Sequence, residues 1–444
     1  MEKRRIRWRL RGEGAVRLRL IYLVMVVGMI GGVCTNNLDS WSDSSSKIRL
    51  TFWAMGFEGE KVEEMIPGFQ RMNPGIEVEV QAIPWSASHE KLLTAFAGNS
   101  TPDICQLGNT WIPEFQAIGS LYALDSMIQQ SGVIDPDQFF QGIWETNRMG
   151  GQVWGIPWYV DTRLVFYRTD ILKEVGYLQA PETWQGWLEV SQAIKHRYPD
   201  RYSAFFSLVH GDWQIPALMI LHYGGSLLKE QNQWGAFDDP ATIRALTLYI
   251  QFFKQGLAPR DMTRITNIYQ GFEEGYFAWM VTGPWNVGEI RNRIPKLEGR
   301  WSTAMLPGES RRFSTAGGSS LVMFKSTRYP AEAWRFIEYL TRSETQAEFY
   351  RLTQDLPAVK SAWQKAGITH DSIMLPFYHQ LESVAPSPKI AEWEMTAIKM
   401  QEHLDRVIFE RIDLPDMIPE LNRDIDYLLE KRRYLLERGL IPAE

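Results

Sequence analysis

The chain has 444 residues, enough for two or three domain-sized cores, and its 45% hydrophobic and 23% charged residues make an ordinary soluble composition. Its 47 Lys and Arg against 53 Asp and Glu give a net charge of −6; eight of the basic and two of the acidic residues fall within the first 33, so the remainder carries −12. A body this acidic is a poor partner for nucleic acid, whose affinity comes mainly from cations that neutralise phosphates.

At the N-terminus a basic stretch runs into the apolar segment Ile21-Tyr22-Leu23-Val24-Met25-Val26-Val27-Gly28-Met29-Ile30, then Gly31-Gly32-Val33-Cys34. An apolar run of about 13 residues is too short for a comfortable membrane span and suits a signal-peptide core, so residues 1–33 read as a signal peptide. Cys34 directly after it is the expected lipidation site, where a thioether-linked diacylglycerol would hold the protein at the membrane surface. Gly31 and Val33 depart from the usual lipobox, which has Leu three residues before the Cys and a small residue just before it. An uncleaved anchor, or a cleaved peptide with an incidental Cys34, are the rival readings. Residues 34–47 are rich in Ser, Asp and Asn and read as a flexible tether. The only other cysteine, Cys105, lies in an apolar run and reads as a plain buried side chain; with Cys34 acylated, no disulfide is available.

Further along, 48–53 (IRLTFW) has the β-branched and aromatic content of a buried strand. Gly56 and Gly59 bracket a turn that holds Glu58. The spacing of Val62, Met65, Ile66 and Phe69 predicts a helix over 60–73, stopped by Asn73-Pro74-Gly75. Residues 76–83 (IEVEVQAI) alternate as a half-buried strand, 85–96 predict a second helix ended by Gly98-Asn99, and 102–107 a third strand, with Asn109-Thr110 placed to cap the next helix. This β-α-β-α-β order predicts a mainly parallel sheet flanked by helices, with ligands bound at the carboxyl ends of its strands. Residues 152–168 are almost wholly strand-like and read as a crossing between lobes. Helices are expected over 183–196, 215–223, 242–255, 331–341, 343–353, 390–409 and 417–437. Strands are expected over 277–281, 303–306 and 320–324, with Gly317-Gly318 between the last two. The division expected is a first lobe starting with 48–158, a second lobe with hinge crossings over 159–325, and a helical part over 326–444 completing the lobes. Two lobes joined by more than one crossover form a hinge.

The sequence lacks a P-loop, a GxGxxG after a strand, a GxSxG elbow and an HExxH. Its seven His show no metal-ligand spacing, so no cofactor and no metal are expected. A glycoside-cleaving enzyme would need two facing carboxylates; Glu58 and Asp161 are the candidates, with no surrounding motif to support catalysis.

Several ordered segments carry a resemblance. They are Thr51-Phe52-Trp53-Ala54-Met55-Gly56-Phe57-Glu58-Gly59-Glu60; Lys91-Leu92-Leu93-Thr94-Ala95-Phe96-Ala97-Gly98 with Thr101-Pro102-Asp103-Ile104; and Gly155-Ile156-Pro157-Trp158-Tyr159-Val160-Asp161-Thr162-Arg163. Later come Gly283-Pro284-Trp285, Gly317-Gly318, Pro330-Ala331-Glu332-Ala333-Trp334 and Leu356-Pro357-Ala358. In this order over about residues 48–360, the chain resembles the family 1 extracellular solute-binding proteins of ABC sugar importers, the maltose-, trehalose- and glucosylglycerol-binding type. The resemblance implies an α/β, two-lobed periplasmic-binding-protein fold, type II-like. It implies a non-enzymatic, monomeric protein in the periplasm or on the outer face of the cytoplasmic membrane, with a small sugar or glycoside and the importer's permease subunits as partners. A non-sugar solute such as a polyamine or a chelated metal is the alternative within transport. By motif position the substrate-binding residues implied are Asp161 and Tyr159 at the crossover, Glu58 after the first strand, and Asn109, Thr110 and Trp111 after the third. Trp285 with Gly283, the pair Gly317 and Gly318, Arg351, Trp85 and Trp213 complete the set. Sugars offer hydroxyl edges to carboxylates and C–H faces to aromatic rings, which fits these residue types.

Overall fold

A computed structural model describes residues 47–309 and 311–441; the expected signal peptide, Cys34 and nearly all of the tether lie outside the described residues. Strand β1 (Ile48–Met55) runs between β2 (Ile76–Ile83) and β3 (Ile104–Gly108), parallel to both, with Phe52 opposite Val80 on one side and Ile104 on the other. The periodicity of the sequence holds for β2 and for the helix Trp85–Ala97. The single helix expected over 60–73 is instead three pieces, Gly56–Val62, a 3₁₀ turn Glu63–Met65, and Ile66–Met72. Pro67 near the start of the last piece has no N–H to give to the preceding turn, so the helix cannot run through it. The turn expected around Glu58 is therefore the first turn of a helix that starts on Gly56.

The chain then builds β4 (Ile156–Asp161), crosses at Thr162-Arg163, and enters a second sheet as β5 (Leu164–Arg168). That sheet also holds β6 (Ala204–Phe205), β7 (Trp279–Thr282) and β8 (Trp301–Ala304), in the order β8-β5-β7-β6. The chain returns through β9 (Ser314–Thr315) into β10 (Gly317–Met323), and β11 (Leu356–Pro357) completes the first sheet in the order β11-β4-β10-β3-β1-β2. It leaves again after β12 (Val384–Ala385), which lies parallel to β9. The three crossings are stitched together: Thr162 Oγ1 donates to the Thr315 carbonyl at 3.0 Å, and Ser314 Oγ accepts from Arg163 N at 3.0 Å.

The expectation of mainly parallel sheets needs correction. Only β1 with β2 and β3, and β6 with β7, are parallel in the two large sheets; β10 is antiparallel to β3 and β4, and β5 to β7 and β8. A chain that leaves one lobe and comes back enters the old sheet from the opposite end, which forces the returning strand to run against the first ones.

The first sheet is covered on one face by a large apolar body that includes Phe52, Trp158 and Phe336 and continues to Phe166 and Trp301 in the second sheet and to Phe377 on the helix Leu375–Leu381. Its other face carries a smaller cluster around Leu107, Phe115 and Val322. The second sheet's far face packs on helices Trp184–Arg197, Gln214–His222 and Pro240–Lys254, and on Trp393–Ile408 and Leu414–Leu428 from the end of the chain. The last helix expected, over 417–437, divides into Leu414–Leu428 and Glu430–Glu437. Trp158, Trp184, Trp187, Trp279, Trp363 and Trp393 are wholly buried, so much of the tryptophan excess is core. Cys105 is buried and free.

Candidate ligand-binding cleft

Where the crossings meet, the two sheets border a cleft of about 720 Å³, within the roughly 300–1,000 Å³ of small-molecule sites. From the first lobe come Glu58, Trp85, Asn109, Thr110, Trp111 and Asp355; from the crossings Tyr159, Asp161, Arg163, Gly317 and Gly318; from the other side Trp213, Trp285 and Glu394.

The floor is a polar network. Tyr159 donates its hydroxyl proton to Glu58 Oε1 at 2.9 Å. Trp85 and the backbone N–H of Glu58 also bond the Glu58 carboxylate. Burial still raises the Glu58 pKa above its ordinary value, the charge of Asp161 adding to the effect. Burial likewise pushes the Asp355 carboxyl well up, helped by the neighbouring charges of Glu58 and Asp161. Asp161 accepts from Arg163 Nη1 at 3.0 Å. The Arg163 guanidinium in turn lies 4.6 Å from the centre of the Trp285 ring, a cation–π distance.

The glycines make room for these groups. A Cβ on Gly317 would lie 2.2 Å from Asp161 Oδ1, and one on Gly318, whose φ is +112°, 2.3 Å from the Tyr159 carbonyl. Gly283 does not line the cleft, but a Cβ there would sit 2.1 Å from the Trp285 ring, so its smallness seats that tryptophan.

The aromatic walls differ in exposure. Trp285 is 44% and Trp85 37% exposed, whereas Trp213 is 4% exposed and packs edge-on against Trp393 at 5.0 Å. Trp85 meets Trp111 edge-on at 5.6 Å. Trp85 and Trp285 are therefore the rings with a free face, and Trp213 offers mainly an edge. Asn109 borders the cleft but is engaged at both ends of its amide, donating to the Gly317 carbonyl at 3.2 Å and accepting from Ser320 Oγ at 3.0 Å. It anchors the returning strand to the end of β3.

Arg351 is not brought to the cleft. It is exposed on the helix Ser343–Thr353 and donates to the Lys365 carbonyl at 2.9 Å. Among the cleft residues that escaped the sequence reading, three carry charge into the networks described: Arg163, two positions from Asp161 at the end of the 155–163 segment; Asp355, just before Leu356-Pro357; and Glu394, near the start of the helix Trp393–Ile408 in a segment that carries little resemblance. Glu394 reaches across, hydrogen-bonding Thr110 of the first lobe and Trp213 of the second, and burial raises its pKa. Among the described residues, no group of three or more His, Cys, Asp or Glu side chains is arranged to hold a metal.

Two lobes, crossings bundled at a hinge, and a cleft lined from both sides define a solute-binding architecture. The family model for bacterial extracellular solute-binding proteins matches residues 58–347, and the chain belongs to that family. The sugar-binding protein MalE from the phytopathogen Xanthomonas citri is 40% identical in sequence, with a TM-score of 0.83 over 88% of this chain and 99% of that one; the fold is accordingly the two-lobed periplasmic-binding-protein fold. More distant relatives are an arabinooligosaccharide-binding protein of Halalkalibacterium halodurans, 23% identical over 323 residues (69% of this chain, 70% of that protein), and a galactooligosaccharide-binding protein of Bacillus subtilis, 21% identical over 396 residues (85% and 89%).

Proposed function

We propose that this protein is the extracytoplasmic substrate-binding component of an ABC importer and captures a small oligosaccharide or glycoside, trehalose and glucosylglycerol being the first candidates, between its lobes. The observation that carries this reading is the make-up of the cleft: carboxylates that can accept hydroxyl protons on the floor and free tryptophan faces on the walls. A carboxylate deprived of water penalises any ligand that lacks the matching hydroxyl, and an aromatic face suits the C–H side of a pyranose. The sugar-binding names of the relatives support the same class of ligand. In this reading Glu58, Asp161 and Asp355 take hydroxyls, Trp85 and Trp285 cover ring faces, and Thr110, Trp111, Tyr159 and Trp213 shape the walls. The ligand bridges both lobes, binds the closed form better, and shifts the population toward it. The permease then reads the paired lobe surfaces. The domain division extends the proposal: a signal peptide over 1–33, a tether to 47, and a lipid on Cys34 that keeps the protein at the membrane.

Two observations favour other readings enough to test. The carboxylates outnumber Arg163 on the cleft walls, which suits a polyamine. The raised pKa of Glu58 beside Asp161 suits an acid in glycoside cleavage. A thermal-shift panel of trehalose, glucosylglycerol, maltose, other disaccharides and polyamines separates them, because a ligand at 100 times its Kd stabilises by about 2.7 kcal/mol. A shift with one or a few glycosides, and the glycoside recovered intact, is expected. A shift with amines alone, or release of free sugar, would overturn the reading.

A further inference from the structure

Gln106 is wholly buried on β3, beneath the cleft floor, and does not line the cleft. Its side-chain oxygen accepts from Met55 N at 2.7 Å, so its amide nitrogen is the end turned the other way. That nitrogen donates to Tyr159 Oη at 3.0 Å and lies 3.3 Å from Ser319 Oγ. Ser319 Oγ in turn donates to Tyr159 Oη at 3.1 Å. A phenol has one proton and accepts with its lone pairs. With two donors already aimed at its oxygen, Tyr159 keeps only the direction toward Glu58 Oε1 for that proton.

We propose that Gln106 is a positioning residue for ligand recognition: anchored on the Met55 amide, it fixes the direction of the Tyr159 hydroxyl and thereby presents Glu58 at the cleft floor as an acceptor only, selecting ligands that offer a hydroxyl proton there. This deepens the sugar-binding reading and rests on it for the ligand class. The chain of orientation runs from a backbone N–H that cannot rotate, through one amide and one phenol, to a carboxylate. Without the amide donor, the phenol can turn its proton to Ser319 Oγ, and Glu58 loses a bond that favours its charged form.

The test uses Gln106→Met, Tyr159→Phe and the double variant, with trehalose and the glycoside giving the largest thermal shift as probes. Gln106→Met is expected to weaken binding about tenfold, whereas in the Tyr159→Phe background the same change should cost less than about twofold. The Glu58 carboxyl, followed by NMR in the protein without sugar and assigned by its loss in Glu58→Gln, should titrate at higher pH in Gln106→Met than in the native protein. In sugar binding, the decline on acidification should move to higher pH with it, since a protonated Glu58 accepts poorly. If Gln106→Met does not fold, Gln106→Asn carries the same readouts with a shift in the same direction, because its amide is one methylene too short to bridge Met55 N and Tyr159 Oη. An unmoved Glu58 titration overturns the relay whether or not any sugar binds. Equal losses in both backgrounds overturn it as well. Failure of the native protein to bind any glycoside, with the Glu58 titration shifted as expected, overturns the ligand class and leaves the relay supported.

Discussion

At the scale of single residues, the cleft concentrates negative charge where water is scarce, and that has a measurable cost. Burial and the nearby charges of Glu58 and Asp161 hold the Asp355 carboxyl well above its usual pKa. A carboxyl whose pKa is raised by folding binds its proton more tightly in the folded state than in the unfolded chain. Its contribution to stability is full below the unfolded pKa of about 4 and is lost as pH rises through the folded value. Asp355→Asn cannot ionise, so it is expected to raise Tm by roughly 1–3 °C at pH 7.5. The gain should disappear toward pH 3, below the unfolded pKa, where the native residue is protonated in both states. Thermal scans of both proteins at the two pH values check this; a loss of stability at pH 7.5 would mean that Asp355 is held by bonds its charge depends on. Residue-scale chemistry was partly legible in the sequence. Glu58, Tyr159 and Asp161 stood in segments whose residue types suit sugars, and the structure brings them to one floor. Asp355 and Glu394 were not legible, because a carboxylate near a helix end carries no mark of the cleft it will face. Arg351 shows the converse: motif position placed it in the site, while its own helix turns it to solvent.

At the scale of elements, the start of β10 does two separate jobs with two adjacent glycines, and substitution should separate them. Gly318 has a φ of +112°, and a side chain there would strike the Tyr159 carbonyl. Both the backbone conformation and the contact penalise alanine, so Gly318→Ala is expected to destabilise the fold by about 2–4 kcal/mol, measured by urea unfolding. At Gly317 a new methyl would instead meet the carboxylate of Asp161, the end of a side chain. Gly317→Ala is therefore expected to cost about 1 kcal/mol or less of stability while weakening sugar binding about tenfold or more by displacing Asp161 and with it Arg163. Calorimetric titration beside the unfolding curves distinguishes the two. If both variants lose stability alike and bind alike, the glycine pair is only a turn. The elements themselves were read from periodicity with mixed success. The alternation of 76–83 and the helix over 85–96 needed no tertiary information, since the first is an edge strand of the sheet and the second a helix that buries one stripe. The break at Pro67 and the antiparallel entry of β10 depend on a single missing N–H and on where the chain has already been, and neither leaves a periodic signal.

For the whole molecule, the proposed capture by closure turns on how freely the two lobes move about the stitched crossings. The bonds of Thr162 to Thr315 and of Arg163 to Ser314 lie within the crossings and tie the outgoing segment to the returning one. Glu394 is different. It sits on a helix packed in the second lobe's core, yet it bonds Thr110 at the end of β3. A bond of that kind exists only when the lobes are close, so it biases the protein toward the closed form independently of ligand. Apparent affinity scales with the fraction of molecules in the binding-competent form, and a hydrogen bond to a charged group contributes about 1.5–3 kcal/mol at most. Glu394→Ala is therefore expected to weaken sugar binding about three- to thirtyfold, mainly through faster dissociation. Small-angle scattering supplies the independent readout. Saturating sugar should contract the native protein, whose radius of gyration is about 22 Å for its size, by roughly 1 Å, and without sugar the variant should be more expanded than the native protein. Should Glu394→Ala bind less tightly yet have the native radius of gyration without sugar, Glu394 would be a ligand contact and the lobes would be held by the sugar alone.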